Sequence, residues 1–232
     1  ADSFDDKLLK SLEYKVPVLV GELAKTLSPN YDAVLDAGCG TGLAGRYLHP
    51  LLRPNGVMIG VDASQKMLDK AAACTVASGC GLPIQIESDP NSSLLYNRLV
   101  RADLDDLSME SFRLDADLAT LDGFDLIVAA DVLVYFGTLE NILLTLASLS
   151  KNQGRLIFSC ELATDEEAPL GWRLLPSGRF AHTKKHAVET AKAAGYELIF
   201  YREITPRIEK GQPVPGHLFA FELIRGTGNG EL

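Results

Sequence analysis

Twelve residues near the start of the chain carry its most specific chemical signal: Val34–Gly45 reads V-L-D-A-G-C-G-T-G-L-A-G. A strand runs into a glycine-rich turn that opens a helix. Glycines there let the backbone come close to a ligand, and a helix N-terminus offers free N–H groups. Two ligand classes suit such a turn. A dinucleotide would set its pyrophosphate on the helix N-terminus; S-adenosylmethionine (SAM) would set its methionine part and ribose there. The dinucleotide fingerprint G-x-G-x-x-G begins directly after the strand. Read from Gly38 it fails, because position 43 is Leu; read from Gly40 through Gly42 to Gly45 it matches two residues late. Asp36, at the strand end, would repel a pyrophosphate but suits the ammonium of a methionine moiety. Asp62 closes the next strand as Gly60-Val61-Asp62. An acid there can hold both hydroxyls of a ribose, in either ligand.

Holding these acids at one edge requires strands alternating with helices. Ala33–Ala37 reads as a buried strand, Leu43–Leu52 as a helix closed by Pro54-Asn55-Gly56, and Val57–Val61 as a second strand. Ser64 is placed to N-cap a helix running to about Ala77. Ahead of them, Leu8, Leu9 and Leu12, then Leu19, Leu23 and Leu27, form apolar stripes of two helices within residues 5–27, with Pro17 in the first turn of the second. Pro83–Glu87 and Arg98–Ala102 both read as strands, joined by a loop over 88–97. Phe124–Ala130 is a buried strand, Leu139–Leu149 a helix and Arg155–Cys160 a strand. After an irregular stretch over 163–181 come a helix at Thr183–Ala194, a strand at Tyr196–Glu203, a loop with three prolines and a last strand at His217–Ile224. Such alternation implies right-handed crossovers and a mostly parallel sheet. The last two strands have no helix between them and must run antiparallel. No internal repeat appears, and residues 226–232 read as a disordered tail.

With 232 residues, 47% hydrophobic and 23% charged, the chain suits one large globular domain and is not disordered in the main. Its net charge of −9 repels phosphate backbones and argues against nucleic acid as a partner. No run reaches the roughly 18 apolar residues of a membrane helix, and no signal peptide is visible. Cys39, Cys74, Cys80 and Cys160 form no C-x-x-C pair, which argues against zinc or a disulfide framework and for a reducing, cytoplasmic setting. The first residue is Ala1, which suits a processed form or a piece of a longer protein.

The strings D-A-G-C-G-T-G and G-V-D-A-S, the pair Asp103-Leu104, then F-D-L-I-V-A-A-D-V-L and G-R-L-I-F-S, resemble a class I SAM-dependent methyltransferase in order and spacing over about residues 33–224. The segments F-D-D-K-L-L-K-S-L-E-Y-K-V-P, A-A-D-V-L-V-Y-F-G, L-P-S-G-R-F-A-H-T and G-Q-P-V-P-G-H-L-F are similar to the methyltransferase domains of TPR-repeat-containing methyltransferases. In that family a helical TPR region often precedes the domain, which implies a protein partner if one precedes this chain. The resemblance implies a Rossmann-like α/β fold with helices on both faces of a mixed sheet of about seven strands, the last one antiparallel between strand five and Tyr196–Glu203. It implies a helical lid over 1–28, a methyltransferase domain over 29–225, and SAM as cofactor with S-adenosylhomocysteine (SAH) as product.

The same resemblance implies residue roles. Gly38, Cys39, Gly40, Thr41 and Gly42 form the cofactor turn, Asp36 meets the amino group and Asp62 the ribose. Ala63 and Met67 pack on the adenine, Asp103 takes its amino group, and the Leu104 backbone N–H meets a ring nitrogen. Asp89 rivals Asp103. Asp103 is preferred because L-V-R-A-D-L ends a strand and the match runs through Tyr96–Leu99, making 78–95 an insertion. Asp131 follows the fourth strand at the ligand-binding edge, where it steadies the sulfonium end, orients the acceptor or caps the turn. By their position and chemistry, not by the resemblance, Tyr135 and Phe136 are expected to wall the transfer site, Glu161 to contact substrate, Arg179 to pair an acidic group on it and His182 to serve as general base. The bland readings are core packing for the aromatics, charge neutralisation for Arg179 and a helix start for His182. His186 and His217 read as structural. Phe4 and Tyr14 close over the cofactor or pack between helices. Alignment and exclusion of water are worth ~7–11 kcal/mol in such transfers. No Asn-Pro-Pro-Tyr string follows strand four, which points to a small-molecule acceptor and away from base or amide nitrogens. A silent protein of the same fold and a nicotinamide-dependent oxidoreductase are the competing classes.

Overall fold

The computed structural model describes residues 14–74, 94–113 and 118–225. The expected helix ahead of Tyr14, Phe4, Cys80, the strand Pro83–Glu87, Asp89 and the 226–232 tail lie outside them. The chain opens with α1 (Val16–Leu27), with Pro17 in its first turn, then β1 (Tyr31–Ala37), the single turn α2 (Gly45–Leu48), β2 (Leu52–Asp62) and α3 (Gln65–Ala72). Next come β3 (Arg98–Arg101), β4 (Phe124–Ala129), α4 (Glu140–Leu149), β5 (Ser150–Leu162), β6 (Trp172–Leu174) and β7 (Phe180–His182). The rest is α5 (Lys184–Ala193), β8 (Tyr196–Ile204), β9 (Ile208–Glu209), β10 (Gln212–Pro213) and β11 (Gly216–Leu223).

The main sheet runs β3-β2-β1-β4-β5-β11-β8. β11 is antiparallel to both β5 and β8, while β1, β2, β3, β4 and β5 pair in parallel. The seven-stranded mixed sheet and the place of its reversed strand agree with the expectation. Alternate residues of each central strand feed opposite layers. Leu35, Ile59, Ile127, Leu156, Phe158 and Phe219 pack with α4 residues Ile142, Leu143 and Leu146. Val34, Met58, Leu126, Val128, Ile157 and Leu218 pack with Val16, Val20, Leu23 and Ala24 of α1. Each fully buried Val or Leu contributes about 1.5–3 kcal/mol, so α1 is anchored to the body by its apolar stripe.

The differences from the sequence reading have local causes. The helix expected over Leu43–Leu52 shrinks to α2 and a 3-10 turn at His49–Leu51, because Pro50 and the glycines ahead of it oppose a long helix. Pro54-Asn55-Gly56 does not precede β2 but forms a bulge within it: Tyr31 faces Leu52 and Ala33 faces Val57. A matching bulge lets β5 start at Ser150 rather than Arg155, with Gln153 at φ +62°. The irregular 163–181 stretch contains the β6–β7 hairpin, whose β7 joins β5 in parallel, and the proline loop contains the β9–β10 hairpin.

Candidate active site

Strand order reverses at β1, which lies between β2 and β4. In open α/β sheets the crevice at such a switch point, outside the strands' carboxyl ends, receives ligands. Here a cavity of about 320 Å³ opens there, bounded by Asp36, Asp62 and Asp131 from the ends of β1, β2 and β4. Gly38, Cys39, Gly40 and Thr41 form its floor, Met67 one wall, and Tyr14 and Tyr135 its rim.

The turn's amide donors are mostly spent internally. Gly38 and Cys39 N–H both donate to the Val61 carbonyl, at 2.8 and 2.9 Å, and Gly42 N–H donates to the Cys39 carbonyl at 2.8 Å. Gly40 N–H donates to Asp62 Oδ2 at 3.0 Å. A pyrophosphate would need these donors and would meet the Asp62 carboxylate, so the turn is not built as a phosphate cradle. The helix it opens is one turn long, so its N-terminus carries little dipole toward a pyrophosphate. Gly38 is held at φ +72°, and a Cβ there would strike Val132. Gly40, at φ +55°, has open space where its Cβ would be. The turn therefore presents bare backbone to the cavity at Gly40.

Each acid is fixed by a different kind of donor. Asp62 accepts from the backbone N–H of Gly40 and, at 2.8 Å, of Ser64. Asp36 is 1% exposed, and its Oδ2 accepts from the Tyr96 hydroxyl at 2.6 Å. Its other oxygen, Oδ1, has no hydrogen-bond partner among the described residues. Burial raises the Asp36 pKa to about 6, the charge of Asp62 adds to the shift, and the Tyr96 hydroxyl and nearby Gly45 amide oppose it. Asp131 stands at φ +56°, uncommon for a residue with a side chain and a form of strain that clusters at functional sites. Its N–H donates to Ser159 Oγ at 2.9 Å, and Arg207 Nη1 donates to both carboxylate oxygens at 3.2 Å. Burial raises Asp131 to about 6, with Arg207 opposing and Glu161 assisting. Burial and the Asp131 charge hold the Tyr14 hydroxyl well above its usual range. Burial likewise raises the Cys39 thiol far out of the nucleophilic range.

Several expected residues do not reach this cavity. Gly42 faces Tyr96 and Leu95 instead. Ala63 is exposed, and its carbonyl accepts from Arg101 Nε at 3.4 Å. Asp103 is an exposed residue that caps its own 3-10 turn by accepting from Asp105 N–H, and Leu104 is buried behind it. Glu161 and Arg179, expected to contact substrate, are bonded to each other at 2.6 Å. Arg179 also pairs Glu209, and Arg207 pairs both Glu161 and Glu209. The Arg179 guanidinium is thus taken by two carboxylates, which is charge neutralisation and not a free acid-binding fork. His182 is fully buried; its Nε2 lies 2.9 and 3.0 Å from the Phe136 and Gly137 carbonyls, and burial lowers its pKa to about 4. It braces the Phe136–Gly137 backbone and does not face the cavity, so it is not placed to act as general base. His217 is likewise buried, bonded to the Tyr201 hydroxyl and the His182 carbonyl.

The sequence reading missed Tyr96 and Arg207. No local pattern marks either: Tyr96 meets Asp36 across 60 residues of chain, and Arg207 meets Asp131 across 76. Among the described residues no group of three or more His, Cys, Asp or Glu is placed to hold a metal, and no helix is long and apolar enough to cross a membrane.

A family model described as a methyltransferase domain matches residues 10–199. The chain belongs to that family. It is a SAM-dependent methyltransferase. No curated protein matches the chain. Solved structures share the fold at low identity. Magnesium protoporphyrin IX methyltransferase from Synechocystis PCC 6803, with bound SAH, is 19% identical with a TM-score of 0.60, over 90% of this chain and 81% of that one. A SAM-dependent methyltransferase from Clostridium acetobutylicum ATCC 824 is 17% identical with a TM-score of 0.61, over 95% and 96%. The Burkholderia thailandensis 1,6-didemethyltoxoflavin-N1-methyltransferase, with its acceptor and SAH bound, is 14% identical with a TM-score of 0.62, over 90% and 79%. For this methyltransferase, such identities speak to the fold alone.

Proposed function

We propose that this methyltransferase binds SAM in the cavity at the ends of β1, β2 and β4 and methylates a small molecule that enters beside Asp131. The observation that carries the reading is Asp36 Oδ1, an unpartnered carboxylate oxygen on a buried residue that lines the cavity. A buried acid oxygen without a donor is costly unless a ligand supplies one, and the ammonium of a methionine moiety is such a donor. Asp62 has lone pairs left over from its two amide bonds with which to meet a ribose. Gly40 lets the chain approach closely, and Met67 offers a soft apolar wall. Asp103, two residues past β3 at the same sheet edge as Asp62 but outside the cavity lining, is proposed to meet the outer edge of the adenine.

When bound, SAM supplies an activated methyl on a sulfonium, ready for in-line displacement. The protein's part is to bind, orient and exclude water. Tyr14 and Tyr135 flank the entrance, and Asp131, fixed by Arg207, takes a hydrogen bond from the acceptor. The acceptors of two fold neighbours, magnesium protoporphyrin IX and 1,6-didemethyltoxoflavin, are small molecules, which supports the same class here. The similarity to TPR-containing methyltransferases supports a protein partner where such a region precedes the domain, and Tyr14, ahead of the anchored α1, closes over the cofactor.

Calorimetric titration with SAH and with NADH tests the cofactor: SAH should bind and NADH should not. Incubation of labelled SAM with an unfractionated cell extract, followed by separation of metabolites from macromolecules, tests the acceptor class. Label appearing only in protein or nucleic acid would refute a small-molecule acceptor.

A further inference from the structure

Tyr96 does not line the cavity, yet three glycines make room for it. A Cβ on Gly45 would fall against the Tyr96 hydroxyl well inside contact distance; one on Gly60 would lie 3.0 Å from its ring and one on Gly42 3.2 Å from it. The ring is 4% exposed. The backbone behind it is pinned, because Asn97 N–H donates to the Met58 carbonyl at 2.9 Å and Met58 N–H donates to Asn97 Oδ1 at 2.7 Å. The ring is therefore confined, and its hydroxyl is aimed at Asp36 Oδ2, 2.6 Å away. Burial and the Asp36 charge push the Tyr96 hydroxyl far above its ordinary value, so the phenol keeps its proton and donates.

We infer that Tyr96 is a positioning residue for cofactor recognition: it occupies Asp36 Oδ2 from behind and leaves Oδ1 presented to the ligand's ammonium. This rests on the SAM-site reading above. The glycines then divide by task. Gly38 and Gly40 shape the turn toward the cavity, while Gly42, Gly45 and Gly60 admit the Tyr96 ring. The titratable groups facing Asp36 are Asp62 from β2, Cys39 from the turn, Tyr14 ahead of α1, and Tyr96, with the neutral Gly45 amide beside them. None of these four is a cation. The Tyr96 hydrogen bond is the side-chain contact among them that holds Asp36 in its charged form.

The test compares SAH with 5′-methylthioadenosine, which keeps adenine, ribose and sulfur but lacks the amino-acid part. In Tyr96→Phe, which retains the ring, SAH affinity at pH 7.5 should fall roughly tenfold to a hundredfold, the scale of one lost hydrogen bond to a charged group. Methylthioadenosine affinity should stay within about twofold, since its contacts do not pass through Asp36. The SAH deficit should widen as pH falls from 8 to 6. Asp36→Asn with Tyr96 intact should show the same split between ligands, and adding Tyr96→Phe to it should change nothing more. Equal losses for both ligands would make Tyr96 a packing residue and overturn the proposal, as would unchanged SAH binding. A split absent from Asp36→Asn would overturn it independently of how well Tyr96→Phe folds. Wild-type protein that binds neither ligand would overturn the SAM-site reading and this proposal with it.

Discussion

Replacing Arg207 with methionine keeps the stem's bulk and deletes the guanidinium that pairs Asp131, Glu161 and Glu209. The three acids are not affected alike. Glu209 has a side chain 34% exposed and is screened. Glu161 keeps its bond to Arg179. Asp131, 19% exposed, loses its only hydrogen-bonded cation among the described residues. Breaking a buried pair typically costs about 3–5 kcal/mol, and the cover that Arg179 still gives puts this case near ~3 kcal/mol. For a chain of this size each kcal/mol moves the Tm by about 2–4 °C, so the expected drop is about 6–12 °C at pH 8. The deficit should depend on pH. Asp131 in the folded protein sits near 6, against about 3.9 unfolded, and Arg207 is what restrains it. Without Arg207 the folded value climbs further. Between the unfolded and folded values the native state binds the extra proton, so stability falls as pH rises through that window. The variant should nearly match wild type at pH 5 and fall behind by pH 8. Urea midpoints for both proteins from pH 5 to 8 measure this. A gap that stays constant with pH, or below about 1 kcal/mol at pH 8, would refute the claim that Arg207 holds a buried charge.

Gly38→Ala places a Cβ against Val132 at positive φ and should cost about 2–4 kcal/mol in urea unfolding. Gly40→Ala meets no neighbour and should cost only about 1–2 kcal/mol of stability, while its methyl, entering the cavity, should weaken SAH in calorimetric titration. SAH affinity should fall as pH drops through about 6, because the proposed contact of Asp36 with the ammonium needs the ionised acid; a flat calorimetric profile from pH 8 to 5 would refute that. His182→Ala should lower the Tm while leaving the shape of the kcat profile between pH 6 and 9 intact, since His182 stays neutral well above its value near 4. A lost limb in that profile would restore it as the base.

The fold was legible because its signals are local and periodic. Apolar runs in β1, β4, β5 and β11 supply both layers of the core, and the absence of a helix between Tyr196–Ile204 and Gly216–Leu223 marks the antiparallel pair that reverses β11. Asp36 and Asp62 were legible as acids at the sheet's carboxyl edge, because each follows an apolar run and lies two residues from a glycine. What failed were inferences about direction. Glu161, Arg179 and His182 occur in the right stretch of chain, but sequence does not say that two of them face each other or that the third turns inward onto carbonyls. Arg207 was illegible because two of its partners, Asp131 just past β4 and Glu161 on β5, are 76 and 46 residues away and reach it only through the fold. Tyr96 was quoted for its place in a motif, and only the packing shows the three glycines yielding to its ring.

The cavity's electrostatics follow from how the three acids are held. Asp62 is fixed by neutral amides and Asp36 by a neutral phenol, so both keep their full charge when ionised. Asp131 is fixed by a guanidinium, which cancels much of its charge at a distance while leaving oxygen lone pairs to accept a hydrogen. Negative potential is therefore concentrated at the end where the methionine ammonium is proposed to lie and is muted where the acceptor approaches. A cofactor that carries positive charge is drawn to the first end, and its demethylated product, lacking the sulfonium charge, is held by less. On the proposed reading the muted end puts no comparable electrostatic demand on the acceptor, and selection there falls to shape and hydrogen bonding between Tyr14, Asp131 and Tyr135. Swapping these three positions, rather than Asp36 or Asp62, is what should change which molecule is methylated.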